Sequence, residues 1–313
     1  MEDNEKSKPV SGELKPNAPL AHMEDNIAAE VMETDSIREK ILQMFKNNKV
    51  TLAASVVLLL ICLTAILAPL VSPYDPNEIH LGDELNQPSS KYLLGTDEYG
   101  RDVLSRVIHG GRISLIVGFV PTLIDMLIGL FLGLISGYYG GRIDFAIMRL
   151  ADMVLAFPSF LLALLIMYTF KPGLLLLFIA LSLVGWAGTA RVVRSQTMSL
   201  KEKEFVEAAR SVGVKNWKIM IKHILPNCLP SLIVLFTLSI PGSIMTESSL
   251  SFLGVGIQPP NSSWGLLVNK YKKYLFDIPI AALAPGVAIL LVVLAFNFLG
   301  DGLRDAIDPY MKE

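Results

Sequence analysis

The chain has 313 residues, of which 52% are hydrophobic and 18% charged, and its mean hydropathy is +0.50. So apolar a chain with so few charges excludes an ordinary soluble domain and points to an integral membrane protein. A net charge of −2 excludes an electrostatic nucleic-acid binder, and the two cysteines, Cys62 and Cys228, fall in apolar segments as small buried hydrophobes, not as a disulfide or a metal site.

Residues 1–45 form a polar tail with scattered acids and prolines and no apolar period, the composition of a disordered segment, too long and acidic for a signal peptide. Within and just beyond it, Ile37, Ile41, Met44 and Phe45 share one side of a short juxtamembrane helix over residues 36–48. Residues 50–71 carry no charge and are long enough to cross a hydrocarbon core of about 30 Å at about 1.5 Å per residue. Residues 94–115, LGTDEYGRDVLSRVIHGGRISL, follow on the outer side. There Val103, Leu104, Val107 and Ile108 make the apolar stripe of an interfacial helix, and Asp102 with Arg106 is spaced as an i, i+4 ion pair.

Five more apolar runs give six spans in all: 113–137, 154–170, 172–190, 228–246 and 278–300. Their glycines and prolines, Gly129, Gly133, Pro158 and the Pro241–Gly242 pair among them, suit kinks and close helix contacts in a membrane bundle. With the N-terminus inside, 19 of the 27 Lys and Arg residues fall on the inner segments, which places both termini in the cytoplasm. Arg101, Arg106 and Arg112 oppose that rule locally on the outer side. No internal repeat is evident, which counts against a transporter built from inverted repeats.

Ionisable residues inside spans are costly and usually face a bundle interior or a water-filled path. Arg149 and Asp152, near the inner end of the third span, read as an i, i+3 pair at the interface. Asp125, in the second span, suits either a helix–helix hydrogen bond or a pathway position. Glu247, toward the outer end of the fifth span, suits either packing or a carboxylate that receives a peptide's cationic amino terminus.

The most polar run between spans is residues 202–227, EKEFVEAARSVGVKNWKIMIKHILPN. Phe205, Ala208, Ala209 and Val212 recur at helical spacing, Gly213 stands where a helix ends on positive φ, and Asn216 is spaced as the N-cap of a second helix. Trp217, Met220, Ile221 and Ile224 line that helix, and Pro226 is expected to break the pattern before the next span.

Glu207-Ala208-Ala209, then Gly213, then Leu225-Pro226 resembles the EAA loop of permease subunits of bacterial ABC importers, with His223 where the family has Ile. Residues 94–115, 149–162, 250–265 (LSFLGVGIQPPNSSWG) and 297–309 (NFLGDGLRDAIDP) are similar to the C-type permeases of dipeptide, oligopeptide and nickel importers. The resemblance covers about residues 45–310. It implies an all-α, polytopic bundle of six transmembrane helices with a cytoplasmic coupling-helix loop at 202–226, the type I importer permease fold. The implied organisation is the tail (1–45), a first span with its outer segment (46–112) and a permease core (113–313).

The resemblance further implies a bacterial inner-membrane subunit paired with a second, related permease. Two ATPase subunits bind the cytoplasmic side, at Glu207, Ala208, Ala209, Gly213, Leu225 and Pro226, and a substrate-binding protein delivers peptide outside. ATP and Mg would sit on the ATPases, with no cofactor and no catalytic site on this chain. Consistently, no Gly-Lys pair exists to build a phosphate-cradling loop. Nickel chelates, glutathione and oligosaccharides are alternative cargoes within the family. An ion-coupled transporter using Asp125 and Glu247 is a different class, and an intramembrane hydrolase lacks paired catalytic groups.

Overall fold

The computed structural model describes residues 44–46 and 48–307, so the tail, most of the juxtamembrane helix and the last six residues lie outside the described residues. Backbone polar groups in hydrocarbon must be satisfied within the segment, and the long apolar runs accordingly fold as helices. These are α1 (Lys49–Ile66), α2 (Val103–Tyr139), α3 (Gly141–Leu155), α4 (Ser159–Thr169), α5 (Leu174–Leu200), α6 (Glu204–Ser211), α7 (Leu225–Phe252), α8 (Trp264–Tyr271) and α9 (Pro279–Ile307). α1, α2, α5, α7 and α9 are long and apolar enough to span a membrane, and α3 with α4 makes a sixth span if the pair is counted as one.

Side-chain caps fix where two helices begin. Asn48 Oδ1 accepts from the N–H groups of Val50 (3.0 Å) and Thr51 (3.1 Å) at the head of α1. Asp102 Oδ2 accepts from the Ser105 N–H (2.7 Å) and Oγ–H (2.6 Å) at the head of α2. That cap replaces the expected Asp102–Arg106 pair: with Asp102 turned onto its own helix start, Arg106 reaches Asp97 instead, Nε to Oδ2 at 3.6 Å.

Three expected boundaries move. The outer interfacial helix and the second span are one element, since α2 runs unbroken for 37 residues, about 55 Å, and the division after residue 112 falls inside it. The third span is broken: α3 and α4 meet at 79° across residues 156–158. Pro158 lacks an N–H and disfavours helix at Phe157, so the chain bends there. Pro226 and Pro241, by contrast, break nothing. A one-turn helix (Asn216–Ile219) passes through a π-turn (Met220–Ile224) directly into α7, which continues through Pro241.

The most extensive helix contact in the bundle is α2 on α5. Gly129, Gly133 and Gly137 face Thr189, Val193 and Thr197. A Cβ added at Gly133 would lie 2.7 Å from Val193 Cβ, and one at Gly129 2.6 Å from Thr189 Cβ. Small residues at four-residue spacing let the two backbones approach, which is how helices without a hydrophobic driving force associate in lipid. Toward the α6 side of this seam, Leu134, Tyr138, Ile224, Cys228 and Leu232 join Val193 in an apolar cluster between α2, α5 and α7.

Gly133→Ala should therefore lower thermal stability in detergent by about 1–3 kcal/mol through overpacking. Gly286→Ala in α9, where an added Cβ meets nothing within 4 Å, should leave it unchanged or slightly raised. Equal melting of both variants would contradict the close seam.

Candidate functional site

The coupling-type stretch closes α6 with a complete Schellman turn. Gly213 has φ of +81°, its N–H donates to Arg210 O at 3.0 Å, and the Val214 N–H donates to Ala209 O at 3.1 Å. Only a residue without Cβ takes this conformation freely, so the expectation at Gly213 holds. The expected N-cap does not: Lys215 is the cap residue, and Asn216 is the first helical residue. Asn216 Oδ1 instead accepts a hydrogen bond from Tyr138 Oη at 3.0 Å, fastening the stretch to the end of α2.

The stretch has two apolar faces. Val206, Ile219 and Ile224 are fully buried against the inner cluster. Phe205, Val212, Trp217 and Ile221 are exposed by 43%, 84%, 53% and 52%. The stripe read from the sequence is thus mostly the outward face, with Ala208 and Glu207 exposed on it and Ala209 half-buried. Leu225 is half-buried and Pro226 exposed. Sequence periodicity missed the inward anchor because Val206 sits beside the stripe, one residue after Phe205.

Next to this region, ion pairs join α3 to α5. Arg194 holds Asp144 with both fork nitrogens, Nε to Oδ1 at 2.5 Å and Nη2 to Oδ2 at 2.6 Å. Arg149 and Asp152 do pair, at 3.5 Å, but Arg191 from α5 takes the same carboxylate more closely, at 2.6 Å. The pair expected within one helix is therefore part of a three-residue bridge between two helices. It lines an open, polar cavity of about 700 Å³.

Asp125 and Glu247 differ in their surroundings. Asp125 lines a cavity of about 350 Å³ with Ser159, Thr189, Ser239, Ser243 and Thr246, drawn from α2, α4, α5 and α7. Gly185 opposite leaves room for it: an added Cβ would come within 2.8 Å of Asp125 Cγ. Among the described residues, Asp125 has no ion-pair partner. Glu247 is fully buried. Its Oε1 accepts from Ser251 Oγ and Ser263 Oγ, both at 2.6 Å. Ser263 also caps α8 through the Leu266 N–H, and Ser251 Oγ accepts from the Ile257 N–H at 3.1 Å. Glu247 therefore lines no path in this structure. It clamps residues 251–263 and the start of α8 to α7, which is the packing alternative. No single-sequence signal paired Glu247 with Ser263, because the contact spans a loop.

On the opposite face of the bundle, residues 83–106 fold against the head of α2. Arg106 is almost fully buried, with Nη1 donating to Pro76 O at 2.9 Å, and Arg101 Nε donates to Asp97 Oδ2 at 2.8 Å. Hydrogen bonds from Lys91 and Tyr92 hold the Asp83 carboxyl below the usual carboxylate range. Burial, with Arg106 and Arg101 nearby, lowers the Lys270 ammonium below its ordinary value.

Comparison with known proteins adds a consistent set of likenesses. Residues 129–313 match the family described as binding-protein-dependent transport system inner membrane component. Residues 36–88 match the N-terminal TM domain of oligopeptide transport permease C. The chain is 43% identical over 269 residues to the glutathione transport system permease protein GsiD of Pectobacterium atrosepticum, covering 86% of this chain and 89% of that protein. It is 42% identical to the dipeptide transport system permease protein DppC of Alkalihalophilus pseudofirmus, covering 88% and 90%. It is 37% identical to the oligopeptide transport system permease protein OppC of Bacillus subtilis, covering 93% and 98%. In fold it is similar to a chain of the MetNI methionine ABC transporter in inward facing conformations, with a TM-score of 0.53, 19% identity, and coverage of 65% of this chain and 96% of that one.

The Glu247 clamp generates a test. Glu247→Ala leaves two buried serine hydroxyls without their acceptor, each worth about 1–3 kcal/mol. Protease cleavage within residues 254–262 should rise and thermal stability fall, while Glu247→Gln, which retains an acceptor, should lose less. Equal, unchanged protease resistance in both variants would remove the clamp.

Proposed function

This chain belongs to the family of binding-protein-dependent transport system inner membrane components, and from that membership and the geometry above we propose that it is one of two permease subunits of an ATP-driven peptide importer. The observation that carries the reading is the two-faced stretch from α6 to the π-turn. One face is locked into the bundle through Val206, Ile219 and Ile224, and the other presents Phe205, Ala208, Val212, Trp217 and Ile221 to a partner. An exposed apolar patch with small residues at its centre is what a docking surface requires. ATPase subunits would bind there and hold ATP and Mg, leaving this chain without a catalytic site or cofactor of its own. Because the inward face packs on α2, α5 and α7, motion of the docked ATPase reaches the spans without slack. Gly213, Leu225 and Pro226 shape this element, while Glu207 offers a charge at its rim.

The cargo is a peptide with a free amino terminus, delivered by an extracytoplasmic substrate-binding protein and passed along a path shared with the second permease. Asp125 is the pathway residue: a carboxylate without a cationic partner, set among hydroxyl side chains, suits an ammonium group and the amides that follow it. Glutathione carries the same ammonium, so the likeness to GsiD leaves this assignment of Asp125 unchanged. A solitary ion-coupled transporter would use Asp125 differently, moving substrate down an ion gradient with no ATPase present.

Ala208→Trp and Gly213→Val leave every span untouched. Ala208→Trp should overpack the ATPase contact, and a β-branched residue at φ of +81° should strain the turn by roughly 1–2 kcal/mol or more. Both variants should lose ATP-driven uptake in proteoliposomes, with the ATPases either released or hydrolysing without transport. Full uptake by both would reduce the stretch to a surface helix pair. Asp125→Asn should depress uptake with assembly and basal ATP hydrolysis intact, and normal uptake would remove Asp125 from the path.

The orientation follows from the Lys and Arg distribution, with residues 191–227 cytoplasmic. In a background free of Cys62 and Cys228, an impermeant thiol reagent applied outside should label a cysteine at exposed Asn261 and not one at exposed Ser199. The reverse pattern would invert the topology.

A further inference from the structure

Three arginines lie on the face of the bundle remote from α6, against the charge rule for membrane proteins. Arg101 and Arg106 are accounted for by Asp97. Arg112 is not: it is exposed, and no carboxylate lies within ion-pair distance of it among the described residues. It stands on the rim of an otherwise apolar groove of about 370 Å³ between α1, α2 and α9, lined by Cys62, Ile66, Ile116, Phe119 and Phe296. Phe119 is held edge-on against Phe236, with ring centroids 5.2 Å apart. Arg112 shares this groove with Ile66, the last residue of α1, which carries no charge after Lys49, and this puts the guanidinium at the edge of the hydrocarbon. From there to Phe119 the groove runs two turns of α2, about 10 Å toward the bilayer centre.

A guanidinium at that depth without a counter-charge is costly, and its fork geometry matches a phosphate diester. An apolar trough leading inward from it matches an acyl chain and offers nothing to a hydrophilic anion. We propose that this groove is a binding site for one anionic phospholipid, with its phosphate on Arg112 and an acyl chain laid along Ile66, Ile116, Phe119 and Phe296. The site is independent of the peptide reading, because it involves neither the Asp125 cavity nor the α6 surface.

The experiment uses the full-length chain with the subunits it carries, in nanodiscs of phosphatidylcholine with a minority of phosphatidylglycerol, released for native mass spectrometry. The wild type should retain phosphatidylglycerol in preference to phosphatidylcholine. Arg112→Gln, which removes a charge-assisted contact, should cut that retention roughly tenfold, and Arg112→Lys should keep most of it. Ile116→Trp, at an exposed position in the trough, should expel the lipid with the charge still present. Retention by Arg112→Gln or by Ile116→Trp at the wild-type level overturns the proposal. So does equal retention of the two lipids, which would mean that Arg112 only reaches up to bulk headgroups. Removal of the lipid by excess inorganic phosphate would identify a simple anion site instead. A photo-crosslinker at position 116 that captures a protein subunit would show the groove to be a subunit contact.

Discussion

The approach of α2 to α5 is the constraint on which the rest depends. Gly129, Gly133 and Gly137 remove the side chains that would hold the two backbones apart, and Thr189, Val193 and Thr197 fill the space. Three consequences meet at this seam. Its upper end places Gly185 beside Asp125, so that a carboxylate can sit between helices. Its lower end brings Arg191 and Arg194 of α5 within reach of Asp152 and Asp144 on α3. Leu134 and Tyr138, with Val193 of the seam itself, form the floor against which Val206, Ile219 and Ile224 are buried. A wider seam would loosen the cavity, the ion pairs and the α6 surface together.

Much of this was legible in the sequence, for a physical reason: hydrocarbon imposes rules that are local. Apolar runs of sufficient length had to be helices, and six were found where five long helices and one bent pair stand. Gly213 announced its turn because positive φ selects glycine within a few residues of a helix end. What was not legible depends on partners distant in the chain. Asp102 with Arg106 looked like an ion pair at the right spacing, but Asp97 competes for the arginine and the helix start competes for Asp102. Proline was a reliable breaker only at Pro158. Pro226 stands in the first turn after the π-turn, where a missing N–H costs little, and α7 simply continues through Pro241.

The two acids singled out in the spans, each left open between packing and pathway, separate in the structure. Depth in the membrane suggested Glu247 for an opening, yet Ser251, one turn on in the same helix, and Ser263, from the loop before α8, close over it. Asp125, with no such partners, remains on a cavity wall. Hydropathy measures how costly a charge is within a span; it does not say what compensates the cost. That difference separates a carboxylate that fastens helices together from one available to a passing cation.

The unbroken course of α2 carries a mechanical consequence. Its first end is fastened to the Asp97–Arg106 platform and its last, through Tyr138, to Asn216 beside the α6 surface. A rod of 37 residues pivoting near its middle moves its two tips in opposite directions, roughly 5 Å each for a tilt of about 10°. The helix runs through Pro121 without a break. The two ends of the bundle are therefore geared: displacement at the α6 surface and displacement at the Asp97–Arg106 platform are one movement read at two ends of a lever.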